Sequence, residues 1–395
     1  MQCLLVTDLN TDHKPDVVAV SSSTFSVLLG DGAGGFSETN TFGGGYIFSS
    51  VASGDVNRDN LKDLVVIDAS LHTLNVYLNT NGGFSGPLVY SVPNWASSVA
   101  LGDFDGDGRI DYAVAGHAGV AVFFGDGNGG MLTAGVNHNI VGRPQMVVAT
   151  DLDGDGHEDL VTCNAASNTV AILYGAGGGA FAQPIYYPVG ASPQALAVGD
   201  FNGDHKLDIA TANTADGTVS IMLQGDNRMF VAEADSPVGS SPVSIAVGDL
   251  NGDGKADLVT ADYASQTTTV LLGQGDGTFA NAGSFLTGGQ PMAVGLADMN
   301  SDGQTDIVTA NSDFTFSLST LLNETRVGLK IIPVNGAVKI VWPAYAIGAA
   351  LESTTNSLNN TGWQAITNNI TPEGSQNAVT LPMASGNVFF RLKLN

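Results

Sequence analysis

Residues 102–116 read GDFDGDGRIDYAVAG. Asp103, Asp105, Asp107 and Asp111 fall within one short loop, and an apolar run follows at once. Bare carboxylates about 4 Å apart, at an effective dielectric near 20, repel by about 4 kcal/mol per pair. A chain that crowds them needs a counter-charge. Oxygen-only side chains at positions 1, 3, 5 and 9 of a tight turn converge on one side, as ligands of a hard cation do.

The pattern recurs six more times. Its members are Asp8, Asn10, Asp12 and Asp16; Asp55, Asn57, Asp59 and Asp63; Asp151, Asp153, Asp155 and Asp159. They continue with Asp200, Asn202, Asp204 and Asp208; Asp249, Asn251, Asp253 and Asp257; Asp298, Asn300, Asp302 and Asp306. Successive loops start 47, 48, 48, 49, 49 and 49 residues apart. So regular a period signals a repeat architecture.

Within each unit an apolar run such as PQALAVGD enters the acidic loop, and LDIATAN and GTVSIML follow. Most units then have a glycine-rich turn, such as GQGDGTF. Short Val-, Ala-, Ile- and Leu-rich segments bounded by Gly, Asp and Asn read as strands. No sustained helical period is present. Four antiparallel strands per unit, seven times over, predict an all-β, seven-bladed β-propeller, in which neighbouring blades cover each other's faces.

Calcium is the expected cation, up to seven ions, one per blade. Position 6 is Gly in four loops and Asn in one, which suits a left-handed turn residue. An EF-hand is excluded: it needs a Glu at position 12 and a following helix, whereas the third loop has Val114 there and a strand follows. No Cys or His set accompanies the acids, which disfavours softer metals. The alternative role for any single loop is a plain Asp- and Gly-rich hairpin turn. Loops three, four and six carry the best ligand sets. Loops one and two carry the poorest, with His13 and Pro15 in the first and Arg58 in the second.

Composition agrees. The net charge is −25, and hydrophobic residues make up 43% of the 395-residue chain. That is a folding composition. The absence of a basic stripe argues against nucleic acid. No apolar run reaches about 18 residues, so no transmembrane helix is expected. Cys3 and Cys163 lie in apolar segments and read as buried free thiols rather than a disulfide framework.

The motif Asp-x-Asp/Asn-x-Asp-Gly-x-x-Asp, followed by a strand and a turn such as GDGAGGF or GQGDGTF, resembles the FG-GAP/VCBS repeats. Such repeats occur in integrin α-subunit propellers, in bacterial secreted or surface proteins and, in similar form, in fungal propeller lectins. The resemblance spans about residues 1–324. It implies calcium loops between the first and second strands on the lower face. Ligands would bind on the opposite face, on inter-blade loops and second-to-third strand loops. It also implies a secreted or cell-surface location.

The start MQCLLVTDLN carries no signal peptide. Blade seven shows no glycine-rich turn and no fourth strand. Both features lead to the expectation that upstream residues supply a leader and a ring-locking strand; a three-stranded last blade is the alternative. From about Arg326 the repeat stops, and residues 325–395 read as a small β-sandwich similar to immunoglobulin or fibronectin-III-like modules. Trp342 and Trp363 are expected in its core.

Candidate residues on the ligand face are Tyr46, Trp95, His117, Arg143, Tyr263 and Phe314, each with packing inside a blade as its alternative role. His13, His157 and His205 lie inside acidic loops, His72 and His117 in second-to-third strand loops, and His138 before an inter-blade loop. No nucleophile elbow, Cys–His arrangement or phosphate loop stands out. The expected function is therefore a calcium-stabilised module binding a carbohydrate or protein ligand. The alternatives are a polysaccharide lyase or hydrolase on the same scaffold, or a structural stalk.

Overall fold

The computed structural model describes residues 3–21, 23–43, 47–81, 83–132, 135–312 and 317–323. Beyond these it describes 330–334, 337–343, 350–354, 364–365, 371–373, 376–382 and 389–393. The chain divides into two compact units, Met1–Asn323 and Glu324–Asn395.

The first unit is a seven-bladed β-propeller. Each blade is an antiparallel sheet whose strands pair in chain order. In blade three, Ser98–Gly102, Asp111–Gly116, Gly119–Phe123 and Val136–Asn139 lie side by side. Asp111 pairs with Gly102, so the acidic loop is the hairpin between first and second strands. The second strand is buried throughout in every blade. It is flanked by strands on both edges and by neighbouring blades on both faces, which is why its sequence is a continuous apolar run rather than an alternating one. Outer strands such as Val136–Asn139 and Ile185–Pro188 are mostly exposed.

Burial is shared between blades. One core cluster joins Val65, Ile67 and Leu74 of blade two to Tyr112, Val114 and Phe123 of blade three. First strands touch first strands around the ring, and Cys3–Thr7 of blade one meets Pro291–Ala297 of blade seven. Val17 and Ala19 pack with Met299 and Val308 across that junction. Among the described residues blade seven has three strands: Pro291–Ala297, Asp306–Asn311 and Ser317–Leu321. Cys163 is fully buried and Cys3 half-buried, and both are free. Burial pushes their thiols up to about 12 and about 11 respectively.

In the second unit one sheet runs Lys330–Val334, Ala337–Pro343, Gln376–Pro382 and Thr371–Glu373. The other runs Gln364–Ala365, Ala350–Thr354 and Phe389–Lys393. Trp363 and the side chain of Trp342 lie outside the described residues.

Candidate functional site: the acidic loops and the opposite rim

Each acidic loop is wound around its own side chains. In all seven, the first-position carboxylate accepts the backbone N–H of position 6 at 2.8–2.9 Å. The third-position oxygen accepts from position 5, and the fifth-position carboxylate from position 7. Position 6 is left-handed throughout, including the non-glycine His13, Asn60 and His205. Position 4 is left-handed too, at Thr11, Arg58, Gly106, Gly154, Gly203, Gly252 and Ser301. The sequence reading missed this second bend, although Gly at position 4 in four loops was its signal.

The ninth-position aspartate has a second role that the spacing alone did not reveal. Its two oxygens each accept a backbone N–H. For Asp111 these come from Phe104 at 2.9 Å and Gly125 at 2.8 Å. The same bracket recurs at Asp16, Asp63, Asp159, Asp208, Asp257 and Asp306. It ties the acidic loop to the turn after the third strand. Burial pushes the carboxyls of Asp63, Asp111, Asp159 and Asp208 up to about 6, against the pull of these hydrogen bonds. Asp16, Asp257 and Asp306 are raised for the same reason.

The turns also latch blade to blade. Gly129 N–H donates to Val56 O, Gly179 to Phe104 O, Gly277 to Phe201 O and Gly34 to Met299 O. Each acceptor is position 2 of the preceding blade's acidic loop. In blades two and seven the side-chain amides of Asn79 and Asn323 reach the equivalent carbonyls of Leu9 and Leu250. The junction of blades seven and one therefore carries the same glycine latch as those of blades two and three, three and four, and five and six.

Loops three and four gather the most carboxylate. One oxygen each of Asp103, Asp105 and Asp111 lie within 4.8 Å of one another, and so do those of Asp151, Asp153 and Asp159. The fifth-position Asp107 and Asp155 stand outside these groups. Asp107 Oδ2 pairs with Arg109 at 2.6 Å, and Asp155 Oδ2 accepts from Arg228 at 3.1 Å. Asp8 Oδ1 is buried and has no hydrogen-bond partner; Asp153 Oδ2 likewise accepts no hydrogen bond but lies in ion-pair range of Arg228. Buried carboxylate oxygens without donors are costly. A hard cation, which takes oxygen ligands only, fits this donor set.

On the opposite rim, Trp95, His117 and Arg143 line one depression of about 160 Å³, together with Ser49, Ser97 and Gln145. Trp95 and Arg143 come from inter-blade loops, His117 from the turn between second and third strands of blade three. Trp95 is 68% exposed. Its ring stands edge-on to His117, with centroids 6.5 Å apart. The floor is pinned across blades: Ser97 Oγ donates to Pro144 O at 2.9 Å, and Ser49 Oγ to Ala96 O at 3.2 Å. Exposed Ile47, Leu71 and Val141 belong to rim turns of the same blades. Tyr263 sits half-buried at the corresponding turn of blade six and does not line the depression. Tyr46 and Phe314 lie outside the described residues.

Trp95 and Arg143 share a conformation as well as a site. Both have positive φ, at 62° and 61°, just before a first strand. Ser192 and Ser241 occupy the same position of blades five and six, each with φ of 57°. A left-handed backbone under a bulky side chain costs on the order of 1 kcal/mol or more. Serine fills the position in blades five and six with the same left-handed backbone, so that backbone does not require the bulk.

A ring of blades, each with an oxygen-rich hairpin on one face, defines a repeat propeller. The model of the FG-GAP-like repeat matches six overlapping spans, 8–66, 55–114, 103–162, 151–211, 200–260 and 249–309, and the chain belongs to that family. No curated protein matches it. Among solved structures, a lectin from Agrocybe aegerita that recognises non-reducing terminal N-acetylglucosamine is similar over 82% of this chain and 86% of its own, with TM-score 0.53 and 17% identity. A protein from Lactobacillus plantarum is similar over 74% and 86%, with TM-score 0.57 and 14% identity. Hydrazine synthase of Kuenenia stuttgartiensis is similar over 78% and 92%, with TM-score 0.55 and 14% identity. At these identities the likeness concerns the fold.

Proposed function

We propose that this chain is a calcium-braced, secreted or cell-surface binding module that takes a carbohydrate at the Trp95–His117–Arg143 depression. The observation that carries the reading is Trp95 itself: a largely exposed indole on a strained backbone, where blades five and six place serine. An exposed aromatic face beside Arg, His and Gln side chains offers stacking for a sugar ring and hydrogen bonds for its hydroxyls. The Agrocybe aegerita lectin is a precedent for a glycan site on a fold of this kind.

In this reading the side-chain oxygens of positions 1, 3, 5 and 9 hold Ca²⁺ in the acidic loops, with a position-7 carbonyl as a further ligand. The ion supplies the counter-charge that the clustered carboxylates lack and keeps the rim loops in place from the opposite face. The small second unit acts as a β-sandwich spacer or anchor.

The test is a glycan array with the full chain in calcium, followed by Trp95→Ser and Arg143→Ser. Serine is already accommodated at this backbone position in blades five and six, so folding is preserved. Trp95→Ser is expected to weaken binding to the best glycan by about tenfold or more. Absence of glycan binding, or full affinity in both variants, contradicts the proposal.

A further inference from the structure

Blade five departs from its neighbours at one place. Where blades one, three, four and six turn after the third strand on glycines, blade five has the short 3₁₀ turn Asp226–Arg228, and no counterpart of the glycine latch joins it to blade four among the described residues. Arg228 makes the junction instead. Its backbone is left-handed, with φ of 61°, and its guanidinium lies over the Tyr174 ring at 4.6 Å. From there Nε reaches Asp153 Oδ2 at 2.6 Å, and a terminal nitrogen donates to Asp155 Oδ2 at 3.1 Å.

Those two oxygens are the ones the loop's own winding leaves free, because Asp153 Oδ1 and Asp155 Oδ1 already accept backbone N–H groups. The Asp153 side chain is 5% exposed. Its Oδ2 lies in ion-pair range of Arg228 without hydrogen-bond geometry, a contact of charge rather than of direction. Loop three offers a comparable four-aspartate set. There, among the described residues, Arg109 pairs with Asp107 and Asp105 has no ion pair.

We infer that Arg228 is a built-in competitor for the cation of loop four: its guanidinium sits where the ion's ligands point, so calcium enters that loop only by expelling Arg228. Loop four, ranked with the strongest sites on its own residues, is thereby the weakest of the two four-aspartate loops. Blades four and five are latched by an ion pair that does not depend on calcium. The inference rests on the calcium reading above for the remaining loops.

Calcium bound per chain, measured by equilibrium dialysis at fixed free calcium, tests it in wild type, Arg228→Ala, Asp153→Asn and the double variant. Arg228→Ala is expected to bind one equivalent more than wild type. Asp153→Asn is expected to remove that equivalent from the Arg228→Ala chain and to leave wild type unchanged. Arg228→Lys keeps the charge but cannot span both carboxylates; it is expected to fall between wild type and Arg228→Ala, and serves if the alanine variant is unfolded by circular dichroism. Equal binding by wild type and both Arg228 variants, or loss of an equivalent from wild type on Asp153→Asn, overturns the inference. No bound calcium in any chain overturns it together with the calcium reading.

Discussion

Thr11 and Asp262 show how single residues carry the repeat's constraints. Thr11 is β-branched and exposed, yet sits at φ of 61° where four other blades have glycine. No hydrogen bond of its side chain offsets this among the described residues. Thr11→Gly is expected to stabilise the propeller by about 1 kcal/mol, read as a higher denaturation midpoint, because the left-handed penalty is removed. Asp262 ends the second strand of blade six, fully buried, where Asn164, Asn213 and Asn311 stand in blades four, five and seven. Thr260 Oγ1 donates to Asp262 at 2.8 Å, just as Thr211 Oγ1 donates to Asn213 at 3.1 Å. Burial raises the Asp262 carboxyl above its ordinary value. A raised folded-state value means that the neutral acid's stability is present below the ordinary carboxylate range and is lost as pH rises through the folded value. Asp262→Asn, able to donate as Asn213 does to Thr218 and Ser220, is expected to exceed wild type in stability at neutral pH and to match it near pH 3. Thermal melts at both values check this; equal melts at neutral pH contradict it.

At the scale of the blade, the acidic hairpin is a joint rather than a decoration. Asp111 holds Phe104 and Gly125 with one carboxylate, and the next blade's Gly179 hangs on Phe104 O. Asp111→Ala leaves two buried N–H groups without partners, at about 1–3 kcal/mol each. Its expected loss is therefore several-fold greater in free energy than that of Lys255→Ala, whose ammonium pairs with Asp253 at 3.8 Å on the surface. Urea denaturation of the two variants measures the difference, and equal midpoints would refute the bracket. This double duty explains what was legible beforehand. Ligand chemistry imposes residue identity, so the positions of all seven loops and the blade count could be read from Asp103 to Asp111 and its copies. A bracket imposes only that the ninth residue be a carboxylate, which the ligand role already accounted for. Arg228 was hidden because its partners lie in another blade; its only trace is QGDNRMF where GQGDGTF stands elsewhere.

For the whole propeller, the latches place a hydrogen bond or an ion pair at every blade junction, each ending on an acidic loop. Under the proposed calcium reading, a cation held in those loops would stabilise the ring as well as each hairpin. The rim depression at Trp95 was only partly legible: the family resemblance implied one face for Trp95, His117 and Arg143, but their meeting in one depression depends on the placing of blades two, three and four in space. Every loop that binds calcium adds stability according to its saturation, about 2.7 kcal/mol at a hundred times its dissociation constant. The most direct measurement is the thermal midpoint of the full chain in millimolar calcium and again in excess chelator, with bound calcium quantified in the same samples. The account predicts several bound ions and a midpoint that falls by many degrees on chelation and recovers when calcium is restored. A chain that binds no calcium and melts identically in both would contradict it.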